Sequence, residues 1–209
     1  MATSARMPAL ALAPAVVAAL LAAAPALAAA PAAFRVPVPV ERTLANGLRV
    51  AVFPDHRLPL VQVQLLVPAG TAREPAGTPG VATAVAQLLR AGTSSRTAAA
   101  MAAEVDRLGG SLAASATRDV STVSATFLAG DLDAGLELMA DAVVNSVFPA
   151  DELQRVRGQL AGRLFQLQQS PAAQADDRLW EAAFGEHPYA RAPRGAPAAL
   201  ERMDWAAVR

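Results

Sequence analysis

The sequence contains no cysteine. That excludes disulfides, thiolate metal sites and cysteine nucleophiles, and leaves the fold to rely on packing. Lysine is also absent, so all 18 basic residues are arginine. Beside so much alanine, this reads as a genome-wide compositional bias and not as a site. Basic and acidic residues balance at 18 each. A chain without net positive charge lacks the electrostatic footprint of a nucleic-acid binder. Histidine, the commonest metal ligand, occurs only as His56 and His187.

What is present begins with an N-terminal run of Ala, Leu and Val behind a single charge, Arg6. It ends in small residues, with Pro25 ahead of Ala26-Leu27-Ala28 in the pattern of a cleavage site. Residues 1–28 therefore read as a secretory signal peptide, and 29–39 as a Pro/Ala-rich leader. The alternative is an uncleaved membrane anchor, because the run is nearly long enough to span a bilayer. Once Arg6 leaves with the segment, 17 basic residues face 18 acidic ones. The expected location is the periplasm or the exterior. About 180 residues remain, enough for one domain with a core. No later stretch is long and apolar enough to span a membrane, so the mature part is expected to be soluble.

Asn46-Gly47 lies between apolar-rich runs and predicts a hairpin. Val61, Val63, Leu65 and Val67 alternate as a half-buried strand does. A turn-rich loop, TAREPAGTPG, leads into a helix between Pro79 and Gly92, with Val81, Val85, Leu88 and Leu89 on one face. A Ser or Thr caps a second helix over 98–108, which ends at Gly109-Gly110. A second hairpin turns near Arg118-Asp119. Three helices follow: one with a stripe of Leu132, Leu136, Met139 and Val143, one starting at Pro149, and one over PAAQADDRLWEAAFG. The last stretch is loop-like, then opens another helix. This order predicts an α+β fold with helices packed on an antiparallel sheet, not a βαβ repeat.

Four stretches carry a resemblance: LANGLRVAVFPD, GVATAVAQLLRAGTSSRT, the long run from LGGSLAASATRD to FPADEL, and FGEHPYARAPRG. Together and in this order they resemble the insulinase, pitrilysin and mitochondrial processing peptidase family, the inverted zincins. The resemblance implies that residues 40–195 form the first of two homologous domains. Residues 196–209 would then begin the linker to an absent second one.

In that family a helix carries H-x-x-E-H. Two His at i and i+4 share a face and hold zinc, and the Glu is the general base. Aligned by Gly80 and Gly92-Thr93, these positions are Thr83, Ala86 and Gln87, and the third ligand position falls on Arg163. Zinc takes imidazole, thiolate or carboxylate. A hydroxyl, a methyl, a neutral amide and a permanently charged guanidinium are each hostile to that chemistry. No other register helps, since no His lies between Arg57 and Glu186. His56 in PDHRLP and His187 in HPYAR read as loop residues.

Other features read structurally. Ser94-Ser95 fit a helix cap, and Ser121 and Ser124 fit polar strand faces. Asp151-Glu152 and Asp176-Asp177 sit near helix starts, where acids favour the dipole. Gly109-Gly110 is no phosphate loop, because a helix precedes it and no Lys follows. The strand at Ala113, Ala114, Ser115 and Ala116 is different. The resemblance implies an edge strand that holds peptide by β-augmentation, with Ala113-Ala114 where the family often has Asn-Ala.

The function implied is a non-catalytic subunit of an exported processing-peptidase-like complex. It would bind peptide and pair with a zinc-bearing homologous subunit. It would hold no cofactor itself, and zinc would sit only in the partner. Two alternatives remain: a zinc metalloendopeptidase with a non-standard metal site, and a free-standing peptide-binding domain.

Overall fold

A computed structural model describes residues 37–208. The expected signal peptide and most of the leader lie outside the described residues. The chain divides into two compact units, one ending at His56 and one running from Arg57 to the C-terminus.

The first unit contains an antiparallel hairpin, β1 (Val40–Thr43) and β2 (Arg49–Val52). Leu44 and Leu48 close its loop at 2.9 Å, and the Gly47 N–H returns to the Leu44 carbonyl. Asn46 Oδ1 accepts from the Leu48 N–H at 3.1 Å, and Gly47 takes φ +86°. This is a turn followed by a left-handed glycine, one of the standard hairpin closures.

The second unit is built on a three-stranded antiparallel sheet in the order β3-β5-β4. The strands are β3 (Leu60–Val67), β4 (Ser111–Ala116) and β5 (Ser121–Leu128). Val123, Ala125 and Phe127 of β5 alternate inward and are buried. Opposite them, Val61, Val63 and Leu65 of β3 are half-buried, while Val67 at the strand end is exposed. The β4–β5 turn lies where the sequence predicts it, with the Thr117 hydroxyl donating to the Val120 carbonyl at 3.0 Å.

The helices are α1 (Val81–Leu88), α2 (Ala98–Arg107), α3 (Leu132–Val144), α4 (Ala150–Gln168) and α5 (Pro171–Phe184). Two short ones follow, α6 (Pro197–Arg202) and α7 (Trp205–Val208). Thr97 caps α2 and Ser170 caps α5, each accepting a backbone N–H three residues on. Among the described residues no helix is long and apolar enough to cross a membrane.

Two apolar clusters hold the unit together. One joins the sheet to α2 and α3 through Met101, Leu108, Leu112, Phe127 and Leu138. The other joins α1, α4 and the C-terminal helices through Leu88, Val156, Leu160, Leu200 and Met203. Helix α1 serves both, with Leu88 in the second cluster and Leu89 against the first. The single face predicted for Val81, Val85, Leu88 and Leu89 is therefore divided between two cores.

Helix α3 is turned from its predicted stripe. Gly135, Leu138, Met139 and Ala142 are buried, and Leu136 is exposed. A Cβ on Gly135 would lie 2.2 Å from the Phe127 ring, so the glycine is what lets the helix approach the sheet. The residues expected as the start of a linker also pack: Leu200, Met203 and Val208 belong to the second cluster.

Candidate functional site

Helix α1 is the element that the family motif would occupy. Its start is organised from outside the helix. Gly80 precedes it at φ +101°, and no local side chain caps it. Instead the Glu74 carboxylate accepts the N–H of Gly80 at 2.9 Å and that of Ala82 at 2.6 Å. This satisfies two orphan donors and sets negative charge at the positive end of the helix dipole. Burial pushes the Glu74 carboxyl above the usual carboxylate range, and the Ala82 and Gly80 N–H groups and the Arg191 charge only partly oppose that. Arg191 Nη1 donates to the Glu74 carbonyl at 2.9 Å. Gly195 meets Gly80 so closely that a Cβ on Gly80 would lie 2.9 Å from the Gly195 Cα.

The motif positions follow along the helix. Thr83 Oγ1 donates to the Pro193 carbonyl at 2.8 Å, so its hydroxyl ties α1 to the 191–195 loop. Ala86 is 3% exposed and lies within the packed interior. Gln87 is half-buried, and its amide makes no hydrogen bond among the described residues. Arg163 of α4 is exposed and has no ion pair among the described residues, so it does not replace a metal as a structural tie.

This donor set does not fit zinc. It offers a hydroxyl already engaged, a methyl, a neutral amide and a cation, against a metal that takes imidazole, thiolate or carboxylate. Among the described residues no three of His, Cys, Asp and Glu gather closely enough to hold a metal. The two histidines are far from forming a pair in role. His56 is in the loop after β2. His187 caps a short turn, its Nδ1 accepting the Tyr189 N–H at 3.2 Å, and its ring stands edge-on to Tyr189 with centroids 4.9 Å apart.

The strand expected to hold peptide lies in the sheet. β4 pairs only with β5 and is an edge strand among the described residues. Ala113 and Ser115 are exposed on it, while Ala114 and Ala116 are half-buried. Beside it a cavity of about 340 Å³ opens between α1, α2, β4 and α4. Met101, Val105 and Leu112 form its apolar part, and Gln87, Arg90 and Arg155 its polar part. Gln87 is thus brought beside the predicted peptide strand, while Thr83 is drawn away to Pro193.

Several readings of polar residues change. Ser94-Ser95 do not cap α2, since Thr97 does. Ser95 joins a partly buried network centred on the buried Asp141 of α3. Asp141 Oδ2 accepts from Arg96 Nη1 at 2.7 Å, Thr93 Oγ1 at 2.8 Å and Ser95 Oγ at 3.0 Å. Oδ1 accepts from Asn145 Nδ2 at 2.8 Å. Burial pushes this carboxyl up, but the hydrogen bonds from Asn145, Thr93, Arg96 and Ser95 outweigh it and hold the pKa at about 2. Asp151-Glu152 do lie in the first turn of α4. Asp176-Asp177 lie deeper in α5, where Asp177 pairs with Arg194.

The C-terminal stretch clamps the β4–β5 turn. Arg118 lies 3.6 Å over the Trp180 ring, its Nε donates to the Tyr189 carbonyl at 3.1 Å, and the Tyr189 hydroxyl donates to Asp119. Neither Glu74 nor Asp141 stands out in the sequence. The signal for Glu74 would be an acid shortly before a helix that lacks a cap.

Comparison with known proteins agrees with this arrangement. Residues 49–196 match the family described as Insulinase, peptidase family M16. An uncharacterized zinc protease of Mycobacterium leprae is 31% identical over 77% of this chain and 36% of its own length. A probable mitochondrial-processing peptidase subunit beta of Arabidopsis thaliana is 29% identical over 71% of this chain and 28% of its own. The chain thus spans about a third of the length of these relatives. Among solved structures, a peptidase M16 inactive domain from Pseudomonas fluorescens superposes with a TM-score of 0.78 at 26% identity, covering 81% of this chain and 42% of that one. A protease from Helicobacter pylori gives 0.76 at 26% identity, over 83% and 42%. The motif helix with its two flanking glycines, the antiparallel sheet and these matches lead to one conclusion: the chain belongs to the insulinase family, peptidase family M16.

Proposed function

We propose that this chain is a non-catalytic member of its family, which holds peptide and leaves the chemistry to a zinc-bearing homologous subunit. The observation that carries this is the state of α1. Thr83 is bonded to Pro193, Ala86 is buried, and Gln87 offers an amide where a second imidazole would bind. No group there can polarise or deprotonate a water. The relative in Pseudomonas fluorescens, itself called an inactive domain, and the Arabidopsis relative, itself called a subunit, support the same reading.

In this reading the chain contributes surface. An extended peptide adds to β4 along Ala113, Ala114, Ser115 and Ala116. Backbone hydrogen bonding of that kind needs no special side chain, so it survives loss of the metal ligands. Zinc belongs to the partner. The Ala-rich N-terminal segment supports export to the periplasm, where such a pair would work.

The test is zinc stoichiometry of the purified chain after dialysis against a weak chelator, followed by mixing with a zinc-bearing homologue. The expected result is no retained zinc, and faster peptide cleavage by the mixture than by the homologue alone. One tightly held zinc per chain, with chelator-sensitive cleavage, would return the metalloendopeptidase reading. Peptide affinity without any effect on a homologue would favour a free-standing binding domain.

A further inference from the structure

The cavity beside β4 carries charge that the peptide-holding reading does not use. It opens between α1, α2 and α4, with Leu112 of β4 in its wall. Gln87 of α1 and Arg90, in the turn just past the end of α1, both line it. Neither has an acidic partner among the described residues. Gln87 makes no hydrogen bond there, and Arg90 makes one long contact, from Nη1 to the Leu112 carbonyl at 3.4 Å. The remaining cation of the wall, Arg155, is already engaged by Glu152 at 2.6 Å. Asp106 is the single acid in the wall and lies at its exposed edge.

From this we infer that the cavity is a specificity pocket for an acidic side chain of a peptide lying along β4, with Arg90 as its recognition residue and Gln87 as a second donor. The inference rests on the reading of β4 as a peptide-holding strand. Its logic is charge complementarity at close quarters. Arg presents a planar fork of donors that matches a carboxylate. Met101, Val105 and Leu112 supply an apolar lining that fits the methylenes of a glutamate. A lysine brought there would meet the Arg90 charge. A leucine would fill the lining but leave the Arg90 and Gln87 donors without partners. The contact to Leu112 also places the guanidinium at one end of the edge-strand run 113–116. A peptide paired with that run therefore ends its ladder beside the charge.

The test uses the full chain and a fluorescein-labelled extended peptide of Ala, Thr and Val, carrying Glu, Gln or Lys at one scanned position. Binding is read by fluorescence anisotropy at low and moderate salt. At one register the Glu peptide is expected to bind about tenfold tighter than the Gln peptide, with Lys weakest and the gap narrowing as salt rises. Arg90→Gln should reduce the Glu-to-Gln ratio to about twofold or less, and Arg90→Lys should keep part of it. Arg90 is exposed, so the variants should fold, and circular dichroism checks that directly. Equal affinity for Glu and Gln at every register, or a ratio unmoved by Arg90→Gln, overturns the pocket and leaves peptide holding intact. Absence of binding by every peptide overturns both.

Discussion

Thr83 and Pro193 stand 110 positions apart, and the hydroxyl of the first donates to the carbonyl of the second at 2.8 Å. The contact lies on the helix face where the family motif would present its first imidazole. Together with Arg191 on Glu74 and the approach of Gly195 to Gly80, it fastens the 191–195 loop to α1. Thr83→Val keeps the shape and leaves the Pro193 carbonyl without its donor. It should lower stability by about 1 kcal/mol in urea unfolding.

Restoring the motif should damage the fold before it restores chemistry. Ala86 is 3% exposed, so Ala86→Glu must bury a carboxylate or displace the packing around it. The combination Thr83→His, Ala86→Glu and Gln87→His should lose about 2 kcal/mol or more, seen as a lower melting temperature. A triple variant as stable as the parent would contradict the burial assigned to α1.

Glu74→Ala removes two acceptors from the start of α1 and should cost about 1–2 kcal/mol, with Glu74→Gln milder because its amide oxygen still accepts. The pH dependence has a definite sign. Burial raises the folded pKa above the ordinary glutamate value, so the folded state holds the proton more tightly than the unfolded chain. That contribution is complete below the unfolded pKa and is lost as pH rises through the folded one. The parent should therefore lose stability relative to Glu74→Gln across that rise. Parallel denaturation curves from acid to neutral pH check it.

Asp141 should behave in the opposite way. Its pKa falls from 3.8 to about 2 on folding. Its contribution is present above the unfolded value and disappears as pH falls from about 4 through about 2. Asp141→Asn should flatten that part of the acid-unfolding curve. Asp141→Ala leaves Arg96, Thr93, Ser95 and Asn145 without their acceptor and should cost about 2–3 kcal/mol at neutral pH, allowing for partial solvation of Arg96.

Gly135→Ala separates propensity from packing. Alanine favours a helix interior over glycine by about 1 kcal/mol. The new Cβ would lie 2.2 Å from the buried Phe127 ring, and overpacking of that kind costs about 3 kcal/mol. The variant should be less stable by about 2 kcal/mol, and Phe127→Leu in the same chain should recover part of the loss. A net gain from Gly135→Ala would mean that α3 stands farther from the sheet than the glycine implies.

Much of the fold was legible. The hairpin at Asn46-Gly47, the turn near Arg118-Asp119 and the helices opening at Pro149 and Pro171 all follow from turn chemistry and capping. The inward face of α3 was not. Counting large apolar residues selects Leu136, whereas the packed face runs through Gly135 and Ala142, small residues chosen by the width of the gap to Phe127. The acids divided in the same way. Asp151-Glu152 could be placed from a helix start alone, but the pairing of Asp177 with Arg194 and the four donors on Asp141 depend on elements distant in the chain.

The order of strands and helices could be read from local periodicity, glycine and proline. That the motif helix lacks the donors zinc requires could also be read in the sequence, because ligand chemistry is a matter of residue type. What those replaced positions do is a matter of packing between distant elements. Thr83 finds a carbonyl, Ala86 enters the core, and Gln87 joins Arg90 at a cavity beside β4. These outcomes turn on which helix face meets which neighbour, and close packing between elements sets that across distances no local pattern spans.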